Sequence, residues 1–229
     1  MKEISTQTCR RYGHPEVRLE YDPSVALEDD AGWLASHLDG EVSRGVRFGT
    51  GETIQVGWLI DRFEQCSDGT LRLFEPDLLS LPVQYKASGT ATLSHLRIQK
   101  AVCESLRLQD EMLFPSMHQS AVICSRLEGS SDIIMDRLSP SVADSGWFIG
   151  CVGEHDHHSS GELARVSLYE MVARFTPAPM PFLSLPAGIA LLLEGGSVRF
   201  LRGGERLKIV EGSFLARATA PLGAWRHGP

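Results

Sequence analysis

The chain has 229 residues, of which 42% are hydrophobic and 22% are charged, so it can build an apolar core and lacks the composition of a disordered protein. Its formal net charge of −7 argues against nucleic acid or an anionic membrane surface as a direct partner, because both require clustered lysine and arginine. An acidic chain instead suits a basic protein partner, whose approach its charge would steer.

Alternating apolar residues predict the strands of the first half of the chain: residues 16–21, 53–60, 71–74 and 121–126. Helical spacing predicts two helices in the same half, one over residues 31–40 and ending at Gly40, the other over residues 93–108. Trp33 and Trp58 lie in apolar segments of this half, and we expect both in the core.

The second half continues with a strand or short helix at residues 132–138 and a strand at residues 146–152 that contains Trp147, another expected core residue. Residues 163–175 are predicted to begin as a strand and to end as a short helix. The proline-rich residues 176–188 predict a rigid extended connection, because proline disrupts helices. A strand at 188–193 and a hairpin that turns at Gly203-Gly204 follow.

Strands and helices occur without the regular alternation of a parallel α/β sheet. The predicted fold class is therefore α+β, as two mixed α+β units with mainly antiparallel sheets. We place the boundary near residues 127–131, which gives domains of residues 1–128 and 129–229.

Negative charge is concentrated in one part of the chain. Residues 127–198 carry 3 basic and 9 acidic side chains, a net charge of −6, whereas residues 199–229 carry 6 basic and 2 acidic side chains. The segment 127–198 is thus predicted to form the most acidic surface.

Cysteine usage and the absence of apolar targeting segments predict a soluble cytoplasmic protein with reduced thiols. The five cysteines are an odd number and form no CxxC pair. The opening residues MKEISTQTCRRYGHPE lack the apolar region of a secretory signal, and no apolar run is as long as a membrane span. We expect none of the cysteines to be in a disulfide.

A loop rich in histidine and carboxylate, CVGEHDHHSSGE at residues 151–162, is the strongest candidate for a functional site. Three histidines and a carboxylate could serve a metal-dependent hydrolase, with His155, His157 and His158 as ligands. Neighbouring residues in one short loop rarely converge on one ion, however, and the zinc signatures HExxH and HxE…PCxxC are absent. The alternatives are a plain solvated loop, which is the commoner place for histidines beside Asp, Ser and Gly, and an exposed loop that contacts a partner. Neither requires a cofactor or metal.

Two carboxylates flank Pro76 at the end of a predicted strand. Glu75 and Asp77 could perform acid–base chemistry as a pair, although such residues are more often a solvated turn. No nucleophile elbow and no phosphate-binding glycine motif occurs in the chain, so the sequence predicts that the protein is not an enzyme.

The second half resembles the immunity-protein domain of bacterial polymorphic-toxin systems over about residues 130–204. The resemblance rests on three features: the SGWF motif of residues 145–148 followed by Gly150, the acidic loop that follows, and the FLSLPAG run of residues 182–188. The first half resembles a companion domain found ahead of such modules. Histidines stand where this family usually has more carboxylates.

The resemblance implies an immunity protein that binds a cognate toxin in the cytoplasm and blocks its active site or substrate-binding surface. It further implies that the toxin is encoded by the adjacent gene and is a nuclease effector of a type VI or related contact-dependent secretion system. No cofactor, membrane or direct nucleic-acid partner is implied. The expected toxin contacts are Asp144, Glu154, His155, Asp156, His157 and Glu162, with Glu75 and Asp77 as further contacts.

Overall fold

The computed structural model describes residues 1–152 and 160–217, and within them the chain divides into two compact units. Among the described residues, the first unit holds Met1–Asp77 and Pro82–Arg97, and the second holds Leu78–Leu81 and residues 98–217. Contacts thus divide the described chain at residues 97/98, whereas the sequence-based expectation is a boundary near residues 127–131. The strand at Ser120–Cys124 explains the difference, because both of its sheet neighbours belong to the second unit.

A six-stranded sheet and helix α1 (Glu28–Ser43) form the body of the first unit. Its strands are β1 (Lys2–Ser5), β2 (Val17–Tyr21), β3 (Thr53–Val56), β4 (Leu59–Gln65), β5 (Leu71–Pro76) and β6 (Tyr85–Lys86). Their order is β1-β2-β5-β4-β3, with β6 also paired to β5, and only β2 and β5 run parallel. A short 3-10 helix spans Cys9–Tyr12, and helix α2 (Thr90–Ser105) begins in this unit and ends in the second.

Three predictions for this unit need correction. The strand expected over residues 53–60 is a hairpin, because Gly57 adopts a positive φ of 64° and turns the chain between β3 and β4. Helix α1 continues past Gly40 to Ser43. Its buried face is formed by Leu34, Leu38 and Val42, so Trp33 is 44% exposed and stacks on His37. Trp58 and Trp147 are buried as predicted.

A seven-stranded sheet forms the body of the second unit. Its strands are β7 (Ser120–Cys124), β8 (Ile133–Arg137), β9 (Asp144–Cys151), β10 (Leu163–Ser167), β11 (Ile189–Glu194), β12 (Ser197–Arg202) and β13 (Glu205–Arg206). The order is β10-β7-β9-β8-β11-β12-β13, and only β7 and β9 run parallel. Two mainly antiparallel sheets with flanking helices confirm the predicted α+β class.

The remaining helical segments of the second unit are short. They are α3 (Leu168–Glu170), a π-helical turn (Met171–Phe175), α4 (Phe214–Arg217) and the 3-10 helices Gln109–Glu111, Ser160–Glu162 and Met180–Phe182. The last of these lies in the proline-rich segment, which was predicted to be wholly extended. Proline at the first positions of a helix loses no hydrogen bond, so a single 3-10 turn fits there.

The proline-rich segment covers one face of this sheet. Phe182, Leu183 and Leu185 are fully buried, and Phe182 packs against Phe200 of β12 with 5.9 Å between ring centroids. The indole nitrogen of Trp147 donates a hydrogen bond to the carbonyl of Leu183 at 3.2 Å. Trp147 of the SGWF motif and the proline-rich run therefore pack against each other.

Arg137 is buried in that layer, where its guanidinium serves several backbone carbonyls. Its Nη1 lies 2.7 Å from the carbonyl oxygen of Leu113 and 2.9 Å from that of Leu183, and it also donates to Leu185. Its Nε donates to Ser145 at 3.2 Å. Burial lowers the pKa of Arg137 to about 10, so the side chain is still charged at neutral pH. The guanidinium thus donates hydrogen bonds to the carbonyls of Leu183 and Leu185 in the proline-rich segment, which is not part of any β-strand.

The structure contains no disulfide among the five cysteines. No helix in the described part of the chain has the length and apolar character needed to cross a bilayer.

Candidate functional site

The predicted acidic loop falls between β9 and β10 in the sequence of the second unit. Residues 153–159 connect Val152, just after β9, to the 3-10 helix that precedes β10. The predicted contacts Glu154, His155, Asp156 and His157, and the proposed metal ligand His158, lie outside the described residues. The two ends of the loop are described, and both lie at the end of the sheet where β7 and β9 finish and β8 begins. We call this the loop end of the sheet.

Four described carboxylates lie at the loop end: Glu128, Asp132, Glu162 and Glu194. Glu162 pairs with Arg126 through two hydrogen bonds of 3.1 Å each, and Glu194 pairs with Arg199 at 3.3 Å. Within the described residues, Glu128 and Asp132 make no ion pair, although Asp132 accepts a hydrogen bond from the backbone of Gly195 at 3.0 Å. Among the described carboxylates at this end, Glu128 and Asp132 therefore supply the negative charge that no arginine neutralises, whereas Glu162 and Glu194 are paired.

Asp144 lies at the opposite end of the sheet. It begins β9, pairs with Arg165 of β10, and accepts a hydrogen bond from the backbone of Gly146 at 2.8 Å. These contacts lower the pKa of Asp144 even though its partial burial raises it. Asp144 and Cys151 are the two ends of the eight-residue strand β9, about 23 Å apart at about 3.3 Å per residue. The structure therefore does not bring Asp144 together with Glu162.

Glu75 is a buried helix cap in the first unit. Its Oε2 accepts a hydrogen bond from the backbone of Thr92 at 3.0 Å, in the first turn of α2, and the ammonium group of Lys86 lies 3.8 Å from its Oε1. A carboxylate in this place satisfies an amide that the helix leaves without an internal partner. The side chain of Glu75 is 1% exposed, so we exclude it from the contact surface.

A second carboxylate, Asp61, is buried close to Glu75. Its Oδ1 accepts a hydrogen bond from the hydroxyl of Thr92 at 2.8 Å. Burial raises the pKa of both carboxyl groups, and the charge of Glu75 raises that of Asp61 further. Asp77 is partly exposed, and its backbone donates to Gln84 at 2.8 Å. Pro76 thus separates one buried acid from one at the surface.

The sequence analysis missed one carboxylate on the open face of the second sheet. Asp136 is exposed on β8. Its cross-strand partners in the sheet are Phe148 on β9 and Ala190 on β11. It makes no ion pair with any described residue. The alternation of side chains along residues 133–137 could have indicated this position. It places Asp136 on the sheet face opposite to that of the buried Met135 and Arg137.

Two exposed apolar side chains were also missed, both in the connection between β8 and β9. Leu138 is 67% exposed and Val142 is 98% exposed. The amide of Gln119 holds this connection through a hydrogen bond of 2.8 Å to the carbonyl of Ser141. Single exposed apolar side chains are normal on protein surfaces, so these two do not by themselves mark a contact surface.

Among the described residues, one group could in principle hold a metal ion: Cys9, Glu16 and Asp39 of the first unit. Asp39 already accepts hydrogen bonds from the backbone amides of Gln7 and Thr8, at 2.9 and 2.8 Å. Burial raises the pKa of Cys9 to about 12, so its thiol keeps the proton that a metal ligand must lose. The group serves to anchor the 3-10 helix at Cys9–Tyr12 to α1.

Comparison with known proteins gives one family match, and it lies in the second unit. Residues 98–200 match the model of the Imm33-like domain, a match that begins where the second unit begins and ends in β12. No curated protein and no solved structure gives a match. The match over residues 98–200 is consistent with the resemblance to the immunity proteins of polymorphic-toxin systems.

Proposed function

We propose that this protein binds and neutralises a cognate toxin by covering its active site or substrate-binding surface, without catalysis of its own. The Imm33-like domain at residues 98–200 is the observation that carries the proposal. Its fold agrees with such a role, because a packed sheet gives a rigid base from which loops can reach a partner. We further propose that the complex forms in the cytoplasm and that the adjacent gene encodes the toxin.

The finer proposal concerns the activity of the toxin. The segment that supplies most of the domain has a net charge of −6 over residues 127–198. A nuclease must offer a basic surface to the phosphates of its substrate, and carboxylates on an inhibitor compete for that surface. We therefore propose a nuclease toxin, delivered by a type VI or related contact-dependent secretion system.

The contact surface that we propose is the loop end of the sheet with the loop it carries. Glu128 and Asp132 supply negative charge there without an ion pair in the described structure, and Glu154 and Asp156 belong to the connecting loop. Glu162 is held by Arg126 and contributes less net charge. Asp144 lies at the other end of the sheet, so we do not include it in the proposed contact surface.

Neutralising the loop should slow association with the toxin. We expect the double variant Glu154→Gln, Asp156→Asn to associate several-fold more slowly at low salt and to lose part of the salt dependence, because rim charges act mainly on the association rate. Surface plasmon resonance with the catalytically inactive product of the adjacent gene measures both rates.

The matched control is Glu3→Gln, Asp29→Asn, which removes the same charge from exposed positions of the first unit. The control should bind as the wild type does. Equal association rates for the two double variants at every salt concentration would place the contact surface away from the loop.

A further inference from the structure

Two cysteine thiols meet at the loop end of the sheet. Cys124 is the last residue of β7 and Cys151 is the last residue of β9, and their Sγ atoms are 3.6 Å apart. The two strands are parallel neighbours in which Val122 faces Phe148 and Ile123 faces Ile149, so both strands finish side by side. Neither thiol is strongly exposed: Cys124 is 0% and Cys151 is 8% accessible.

This arrangement is close to what a disulfide requires. The sulfur atoms of a disulfide are about 2.05 Å apart, so the two thiols need to approach by about 1.5 Å. Side-chain rotation at the ends of two strands can supply a movement of this size. The other cysteines have different surroundings: Cys9 donates to Asp39 at 3.4 Å, Cys103 contacts the hydroxyl of Ser184 at 3.5 Å, and Cys66 is partly exposed.

We propose that Cys124 and Cys151 are an oxidisable dithiol, which a peroxide converts reversibly into a disulfide that ties β7 to β9 at the base of the loop. The thiolate of Cys151, the more accessible of the two, attacks the O–O bond of hydrogen peroxide and becomes a sulfenic acid as one water forms. The thiol of Cys124 then attacks that sulfur and releases a second water. Two thiols and one peroxide thus give one disulfide and two waters, and an external dithiol reverses the reaction.

The pKa of Cys151 controls how fast its thiolate reacts with peroxide. Burial and the neighbouring Cys124 raise the pKa of Cys151, so little of it is thiolate at neutral pH. Because the thiolate is the nucleophile, oxidation should accelerate as pH rises above neutrality. The bond would join residues 27 positions apart, and closing a loop of this length restricts the unfolded chain. We expect the oxidised protein to melt at a higher temperature than the reduced protein.

The site does not depend on any toxin, so its test uses the purified chain alone. The variant Cys66→Ser removes the partly exposed thiol and leaves four cysteines. Hydrogen peroxide should remove two hydrogen atoms from this variant, reduce its titratable thiols from four to two, and join the tryptic peptides 108–126 and 138–165. Dithiothreitol should restore the original mass and thiol count.

Variants assign the bond to its residues. Cys151→Ser and Cys124→Ser, each with far-ultraviolet circular dichroism to check the fold, should abolish the crosslink, whereas Cys103→Ser should retain it. Peptide mapping of the Cys66→Ser protein decides the question even where a buried substitution prevents folding. The proposal is overturned by a sulfinic acid at Cys151 without a crosslink, by a disulfide that includes Cys9 or Cys103, or by an unchanged mass at alkaline pH.

Discussion

Arg137→Ala is expected to lower the free energy of unfolding of the second unit by about 3–5 kcal/mol. The guanidinium donates to the backbone carbonyls of Leu113, Ser145, Leu183 and Leu185, of which that of Leu183 also accepts from Trp147. Each buried carbonyl left without a donor costs about 1–3 kcal/mol. The loss also removes the cation from the face of Trp147, where it lies 5.2 Å from the ring centroid.

Urea denaturation followed by tryptophan fluorescence measures this loss. Arg174→Ala is the matched control, since Arg174 is exposed and makes one surface ion pair with Glu170 at 3.4 Å. Such a pair contributes about 0–1 kcal/mol, so the control should retain nearly all of its stability. A loss below about 1 kcal/mol for Arg137→Ala would mean that water replaces the guanidinium at these carbonyls.

Gly146→Ala is expected to destabilise the same unit by about 2–5 kcal/mol, through two separable causes. Gly146 has a φ of +77°, a backbone conformation that costs a residue with a side chain about 1–2 kcal/mol. A Cβ atom would also overlap the carbonyl oxygen of Leu138, which belongs to backbone and cannot rotate away. The glycine of the SGWF motif is therefore required by the tight connection between β8 and β9.

Gly129→Ala separates the two causes. Gly129 has a similar φ of +70°, but nothing lies within 4 Å of the position of an added Cβ. The control should therefore lose about 1–2 kcal/mol, and the difference between the two variants measures the overlap with Leu138. Equal losses, measured by thermal and urea denaturation, would show that the connection moves aside without cost.

Strand periodicity allowed the sequence to predict much of the second unit. The alternation in residues 146–152 and 188–193 corresponds to β9 and β11, because each strand buries one face under the proline-rich segment. The first unit was harder to predict. Trp33 is a large aromatic residue in an apolar segment, yet the period of α1 places it beside the buried stripe of Leu34 and Leu38.

The candidate site shows a different limit of sequence reasoning. A count of charges treats every carboxylate alike, but Asp144 and Glu162 are each paired with an arginine from another segment. Glu75 reads as a turn residue beside proline and is instead a buried cap for α2. These pairings depend on contacts between residues distant in sequence, which composition and local spacing do not encode. The neighbouring thiols of Cys124 and Cys151 are likewise a product of the fold.

Co-expression tests the central claim, that this protein neutralises a toxin by binding it, most directly. The product of the adjacent gene is expressed from an inducible promoter with and without this chain, and growth is measured together with co-purification of an affinity-tagged, catalytically inactive form. Growth restored by this chain, together with a stable complex of the two proteins, is the predicted result. Unchanged toxicity with both proteins soluble and no complex formed would contradict the account.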